Sequence, residues 1–450
     1  MSEAYQDILR RDPRGVSPPL RYRNARDLGV EPIAASRYTS RAFYEREIEK
    51  VWLRTWQYAC REEEIPNPGD AYVFDLVGRS LIVVRQADGS IKALRNVCLH
   101  RGRKLLAQGG CRVRFRCPYH GLTWNIDGSL RDNPFAWDFP QVDEAQFRLP
   151  AARVETWAGF VFVNFRSDAA PLLPLLGDLP AHMSYWRIED CYKAAHIGKV
   201  VPANWKVVCE AFLEGFHVAA THPQAAGYIP SEKAQYDFLS DHVTRLVSIT
   251  GAPGGVSDGP TLTEEGVVKA MLSVGSRSTK PGAQMPQLQL KPGQTARALM
   301  AEVGRKALEA ETGYDFSEAT DADLLDGVSY DIFPNFHPWG GFAQKIVYRF
   351  RPIEVERTLF EVMLLKIAPK DGPRPSPAPM RLLVEEDLWA SATELGYLAG
   401  IFDQDQANMR PVQEGLRALG EDGVLTFSRY QDSRCRNLHR MIDVYMQDGA

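Results

Sequence analysis

Long apolar runs are missing from this chain. None approaches the ~20 residues a helix needs to cross a bilayer, so a membrane span is not expected. A basic excess is missing too: 53 Lys and Arg stand against 57 Asp and Glu, a net charge of −4. A nucleic-acid partner is discounted on that balance. Cysteine is scarce, with seven residues, an odd number spread thinly. That argues against a disulfide framework and fits a reducing compartment. Met1 is followed by Ser-Glu-Ala-Tyr-Gln-Asp rather than by a basic and then apolar leader, so a cytoplasmic protein is expected. No G-x-G-x-x-G nucleotide fingerprint and no internal repeat is present. What remains is 450 residues, 44% hydrophobic and 24% charged, enough for two domains with a core each.

Residues 1–49 read as an N-terminal arm and helix. The first 40 or so are rich in Arg and Pro and show no apolar period, which fits either an arm on a neighbouring subunit or a solvated tail. A helix is expected over Ser40–Trp56, with Ser40 as its cap. Short strands follow at 71–76, 80–86 and 91–96, with a hairpin turn at Ala87-Asp88-Gly89-Ser90, then strand-like runs at 112–116, 122–126 and 159–165. Residues 50–166 thus read as a small all-β domain. Residues 167–450 read as an α+β domain, a twisted antiparallel sheet covered by helices. Its expected strands are 192–200, 242–250, 328–333, 343–350 and 358–367, and its expected helices 204–219, 296–311, 383–400, 404–418 and 432–446. Gly251–Gly293 and Pro369–Pro379 read as mobile surface segments.

The chain is organised around Cys98-Leu99-His100-Arg101-Gly102 and Cys117-Pro118-Tyr119-His120-Gly121, a C-x-H and a C-x-x-H sixteen residues apart. Two thiolates and two imidazoles suit a soft metal centre. A Rieske [2Fe–2S] cluster uses this mixture, two Cys on one iron and two His on the other. A structural zinc site is the competing reading, although zinc knuckles more often use C-x-x-C. Cys60, Cys111, Cys191, Cys209 and Cys435 lack partner spacing and read as small buried hydrophobes.

A second constellation lies in Glu210-Ala-Phe-Leu-Glu214-Gly-Phe-His217-Val-Ala-Ala-Thr-His222-Pro223. On one helix, Glu210, Glu214 and His217 would share a face. Pro223 disfavours helix at residue 222, so His222 is expected to turn back toward His217. Two imidazoles could then converge on one ion. An iron that activates O₂ needs two His, one carboxylate and open positions. Asp403 and Asp405 are the candidate carboxylates; their ordinary reading is acids in the first turn of a helix.

The Cys/His words, the Glu214–His222 segment and Asp405 with its downstream Val412-Gln413-Glu414-Gly415-Leu416 resemble the Rieske non-haem iron oxygenases. Leu122 departs from the pattern, which often has Trp after His-Gly. The resemblance runs from about residue 40 to 420. It implies a Rieske β domain plus a helix-grip (START-like) catalytic domain. It implies that Cys98, His100, Cys117 and His120 hold a [2Fe–2S] cluster and that His217, His222 and Asp405 hold a mononuclear Fe(II), favouring Asp405 over Asp403. Glu214 sits where the family has an acid, most often Asp, that links the iron-ligating His to a cluster His of the neighbouring subunit. The implied protein is the terminal oxygenase (α) component of an aromatic-ring-hydroxylating type system. Its electrons come from NAD(P)H through a separate reductase, with or without a ferredoxin, and its assembly is a homotrimer, with or without β subunits. The implied reaction is hydroxylation of an organic, aromatic substrate; N- or O-demethylation is the alternative within the family. A non-catalytic electron carrier with a ligand-binding domain is the alternative outside it. Asn204 and Glu210 match nearby positions and are given supporting roles. His337, among aromatic residues, is a possible substrate contact, while His182, His196, His242 and His439 read as satisfied polar side chains.

Overall fold

The computed structural model describes residues 5–254, 261–276, 288–420 and 422–447. The chain divides into two compact units, Glu45–Pro174, and Met1–Tyr44 together with Leu175–Ala450.

The Glu45–Pro174 unit is built on alternation. Asp70–Leu76, Arg79–Arg85 and Ile91–Arg95 pair antiparallel, and Gln86 N donates to Ser90 O (2.8 Å) to close the hairpin where Asp88 and Gly89 were expected to turn. They belong to a seven-stranded sheet in the spatial order Gln57–Arg61, Phe160–Asn164, Ala151–Trp157, Ile91–Arg95, Arg79–Arg85, Asp70–Leu76, Gly110–Cys111. A three-stranded sheet of Phe115–Arg116, Thr123–Trp124 and Leu130–Asp132 lies in the same unit. Ile82, Val84, Leu94, Phe115, Leu122 and Trp124 form one buried cluster, and Cys98 and Cys117 are part of it. Leu122 therefore serves as core at the position where Trp was the commoner choice.

The larger unit carries an eight-stranded sheet. Its spatial order is Gln235–Phe238, Val243–Ser248, Gly327–Ile332, Phe336–Gly340, Lys345–Glu354, Arg357–Ile367, Cys191–Val201, Arg381–Leu383. All neighbours are antiparallel except the last pair. Helices Ala296–Thr312, Leu398–Leu419 and Ser433–Met446 belong to this unit. Thr295 caps the first by accepting from Ala298 N, and Gly313 ends it at φ 74°. Glu361 is fully buried on Arg357–Ile367. It accepts from Arg349 Nε and Nη2 (2.8 and 2.7 Å) and Arg351 Nε (2.8 Å), and its Oε1 lies 3.1 Å from His196 Nε2. Burial alone would raise its carboxyl, but Arg349 and Arg351 outweigh that and hold it well below the usual range.

Several expectations need correction. The N-terminal segment is not a solvated tail: Tyr5 and Leu9 are 2% exposed and Leu20 is fully buried, and Tyr5 Oη donates to Asp326 of its own unit (3.1 Å). Helix 204–219 is broken. Trp205–Glu210 and Val218–Thr221 are separate helices, with turns and Gly215 between them. Residues 383–400 are short strand, loop and 3-10 turns until a single helix begins at Leu398 and runs through 404–418. Within Gly251–Gly293 a helix forms over Glu264–Ser276, and its buried Val267 and Val268 are the apolar anchors the reading missed; residues 255–260 and 277–287 of that stretch lie outside the described residues. Cys60, Cys191, Cys209 and Cys435 are buried and outside any disulfide, as expected, but Cys111 is exposed on the two-residue edge strand Gly110–Cys111. Strand Phe336–Gly340 went unread because Pro338 sits inside it. Among the described residues no helix is long and apolar enough to cross a membrane.

Candidate metal centres

Cys98 and Cys117 open two loops of the same design. In each, the Cys N–H donates to a carbonyl five residues on: Cys98 to Arg103 and Cys117 to Leu122, both 2.8 Å. In each, a glycine N–H returns to the Cys carbonyl, Gly102 at 2.9 Å and Gly121 at 3.1 Å. These glycines have φ of 73° and 85°, a backbone region that side chains disfavour. Inside the loops, backbone N–H groups of His100 and Arg101 point at the Cys98 sulfur, and those of Tyr119 and His120 at the Cys117 sulfur. Such donors favour thiolate over thiol. The His100 and His120 rings lie 4.6 Å apart between centroids, edge to face.

This arrangement fits a [2Fe–2S] group. The Cys98 and Cys117 thiols pair with each other, and the two imidazoles lie against each other. Sulfur paired with sulfur and ring with ring is the sorting that a cluster with two Cys on one iron and two His on the other asks for. In addition, His100 Nδ1 is buried without a hydrogen-bond partner. A buried ring nitrogen left so is costly unless something ligates it.

The second centre assembles from three places in the larger unit. Asn204 caps the Trp205–Glu210 helix through Lys206 N (3.0 Å) and donates from Nδ2 to Val355 O (2.6 Å), which fixes where the segment starts. The helix ends in tight turns, and buried Arg434 ties Leu213 O (3.1 Å) to Thr244 Oγ1 (3.0 Å) on the sheet. Tyr236 Oη accepts from Gly215 N (3.2 Å). His217 then begins the next short helix, and His222 ends it at φ −121° and ψ 62°, outside the helical region, directly before Pro223. Asp405 comes from the middle of Leu398–Leu419, on the buried stripe Phe402, Asp405, Met409, Gln413, Leu416. It is thus not an acid of the first helical turn. Its Oδ1 lies 2.9 Å from His222 Nε2 and 3.6 Å from His217 Nε2.

Each imidazole is held from behind. His217 Nδ1 is 2.6 Å from Glu214 Oε1, and Glu214 Oε2 also accepts from His217 N (3.1 Å). His222 Nδ1 is 2.9 Å from Gln404 Oε1, which also accepts from Gln224 Nε2 (2.7 Å). With Nδ1 protonated on both rings, both Nε2 atoms are free to bind a metal beside Asp405. Burial disfavours a charged His217, but Glu214 and Asp405 outweigh it and raise its pKa. The same two acids would also attract a divalent cation. Two neutral imidazoles, one carboxylate and a cavity beside them fit a mononuclear iron with open positions. Gln404 was missed in the sequence; its only signal is its place between Asp403 and Asp405.

The other candidates go elsewhere. Asp403 accepts from Trp389 N (2.7 Å) and Ala390 N (3.1 Å), an anchoring role away from the histidines. Glu210 binds Tyr38 Oη (2.8 Å) and lies 2.8 Å from His439 Nε2. His337 is fully buried with Nε2 2.7 Å from Asp331 Oδ1, and it does not line the cavity, against the idea that it touches substrate. His182 meets Tyr330, His196 meets Glu361 and His242 meets Tyr445.

Next to His217, His222 and Asp405 lies a cavity of about 370 Å³. Phe212, Val218, Leu246, Ile346, Tyr348 and Phe402 supply much of its wall. Among the described residues its charged lining is Glu214, Asp326 and Asp405, with no Lys or Arg. Asp326 is already paired with Arg297 (2.6 Å).

Residues 55–143 match the family model for a Rieske [2Fe-2S] domain, and residues 178–448 match that for the ring hydroxylating alpha subunit (catalytic domain). Among curated proteins, the chain is 30% identical over 199 residues to the carnitine monooxygenase oxygenase subunit of Acinetobacter pittii, covering 44% of this chain and 54% of that one. It is 35% identical over 199 residues to the biphenyl 2,3-dioxygenase subunit alpha of Rhodococcus jostii, covering 43% of each. The matched part thus spans about half the length of these relatives. Among solved structures, a quaternary ammonium Rieske monooxygenase in complex with L-carnitine has a TM-score of 0.65 at 18% identity over 94% of this chain and 97% of that one. Naphthalene 1,2-dioxygenase from Rhodococcus sp. bound to indole gives 0.62 at 19% identity, over 93% and 95%. At such identities these two structures establish the fold.

Proposed function

The chain belongs to the ring-hydroxylating alpha subunits that carry a Rieske domain, and from that premise we propose that it is a terminal oxygenase acting on a neutral, ring-containing organic substrate. The cluster supplies single electrons and the mononuclear iron the site of O₂ activation. In this reading Cys98, His100, Cys117 and His120 hold the cluster, and His217, His222 and Asp405 hold the iron. Glu214 and Gln404 orient the two imidazoles, and the apolar wall excludes water and positions the ring. Electrons come from NAD(P)H through a separate reductase, with or without a ferredoxin. The working assembly is a homotrimer, with or without small β subunits, serving aromatic breakdown in the cytoplasm. Glu214 is its bridging acid, between His217 and a cluster histidine of the next copy.

The observation that carries the substrate class is the lining. Carnitine is a zwitterion: its ammonium would suit the acids, but its carboxylate would meet no Lys or Arg among the described lining residues. An uncharged ring meets no such penalty. The test is turnover of a panel of neutral aromatic and zwitterionic compounds with ¹⁸O₂ and a surrogate reductase. Labelled oxygen in the neutral aromatic products supports the reading. Turnover confined to the zwitterions, or formaldehyde release in place of ring hydroxylation, overturns it.

A further inference from the structure

Two polar atoms of the cavity wall are left without partners. Ser329 Oγ and Trp339 Nε1 are both buried, and neither has a hydrogen-bond partner among the described residues. They are not scattered. Ser329 and Trp339 are paired across the Gly327–Ile332 and Phe336–Gly340 strands, and Ser329 is paired on its other side with Leu246. Side chains paired across antiparallel strands lie on the same face. Leu246, Ser329 and Trp339 all line the cavity beside His217, His222 and Asp405, so that face is the cavity wall.

The indole is also held in place. A Cβ on Gly327 would meet the Trp339 ring at 3.1 Å, so glycine is what lets the ring lie against the strand. Tyr348 packs edge-on against its other surroundings, 6.1 Å between centroids and at 88°. A fixed indole fixes the direction of its N–H. That group only donates, while a serine hydroxyl donates or accepts. Buried polar groups in folded proteins are nearly all paired, so an adjacent unpaired couple needs an outside partner. Cross-strand Cβ atoms lie about 4.5–5.5 Å apart, so the two side chains rise side by side from one patch of the cavity wall.

We propose that Ser329 and Trp339 form a subsite for one uncharged acceptor oxygen of the substrate. The ligand class is then a ring compound bearing a ketone, ester or ether oxygen, and not a bare hydrocarbon. An anion is disfavoured because Glu214, Asp326 and Asp405 are the charged groups of the wall among the described residues. This inference rests on the oxygenase reading for its cavity, and it adds what part of the substrate the far wall recognises.

The test is calorimetric binding of 1-tetralone and of tetralin to the metal-loaded enzyme. The two share a skeleton and differ by one carbonyl oxygen. The wild type binds 1-tetralone at least about tenfold tighter, the scale of one well-made hydrogen bond. Ser329→Ala reduces that preference to under about threefold while tetralin affinity stays within about twofold, and Ser329→Thr, which keeps the hydroxyl, retains the preference. Trp339→Phe removes the N–H and acts in the same direction as Ser329→Ala. Equal binding of the two compounds, binding of neither, or a preference that survives both Ser329→Ala and Trp339→Phe overturns the subsite. Product analysis on the same preparations reports separately on the oxygenase reading. Oxygen incorporated into tetralin without any preference for the ketone keeps that reading and rejects the subsite. A Ser329-dependent preference without oxygen incorporation does the reverse.

Discussion

At the scale of single residues, the neighbouring acids Asp403 and Asp405 separate by what surrounds them. Asp405 Oδ1 faces two imidazole nitrogens, while Asp403 is spent on Trp389 N and Ala390 N. Asp405→Ala therefore loses the mononuclear iron and at least about a thousandfold in turnover, because a site without bound metal has no O₂ chemistry to offer. Its cluster absorbance stays intact. Asp403→Ala keeps the iron and lowers thermal stability by roughly 1–2 kcal/mol, the cost of lost backbone anchoring. Metal analysis with visible spectra of both variants decides the assignment, and the opposite pattern would move the carboxylate ligand to Asp403. Gln404→Ala frees the outer nitrogen of His222 and weakens iron binding by about 10–100-fold, read by competition with a chelator. Glu214→Gln preserves length but not charge. It retains both metals and slows cluster oxidation when reduced enzyme meets substrate and O₂ in a single turnover. An unchanged rate in that variant removes Glu214 from the electron path.

At the scale of elements, the sheet is stitched across its middle by Glu361 and the arginines of the neighbouring strand. Arg349 and Glu361 are direct cross-strand partners, and both are buried. Glu361→Gln removes the buried carboxylate that Arg349 and Arg351 share, at a cost of about 3–5 kcal/mol, measured by denaturant unfolding. The pH dependence follows from the depressed carboxyl. Its contribution is present in full above the unfolded carboxylate value near ~4.3. It is lost as pH falls below that toward the folded value. The wild type thus loses stability on acidification through this range by an amount that Glu361→Gln does not show.

At the scale of the whole molecule, the two centres together set a stoichiometry. Fully loaded enzyme carries three irons per chain, two in the cluster and one in the mononuclear site. A chelator is expected to remove the mononuclear iron first, since the proposed His217, His222 and Asp405 set leaves that ion open positions, while the proposed cluster is anchored by Cys98 and Cys117 in an apolar core. Iron analysis before and after, with EPR of the reduced cluster, checks both statements. Two irons per chain in the active enzyme would remove the mononuclear site. Sedimentation of the purified protein is expected to report three chains of 50.5 kDa in one particle.

The sequence by itself determined what is local. The alternation of 70–95, the paired Cys/His loops and the Pro223 that turns His222 back are set by neighbours a few residues apart, and short-range sterics act the same way in any context. What was not local stayed hidden. The apolar run 204–219 has a helical period, yet Arg434, Tyr236 and Gly215 hold it in two pieces, because hydrogen bonds from distant elements outweigh propensity. Asp403 and Asp405 are two residues apart and chemically alike. Only the helix stripe that buries Asp405 beside His217 and His222 distinguishes them by structure. Ser329, Trp339 and Leu246 carry no motif, since a cavity is a property of sheet register and not of sequence spacing. The chemistry of the metals was thus written in residue types, while the shape and polarity of the space beside the iron were decided by which strands lie next to each other.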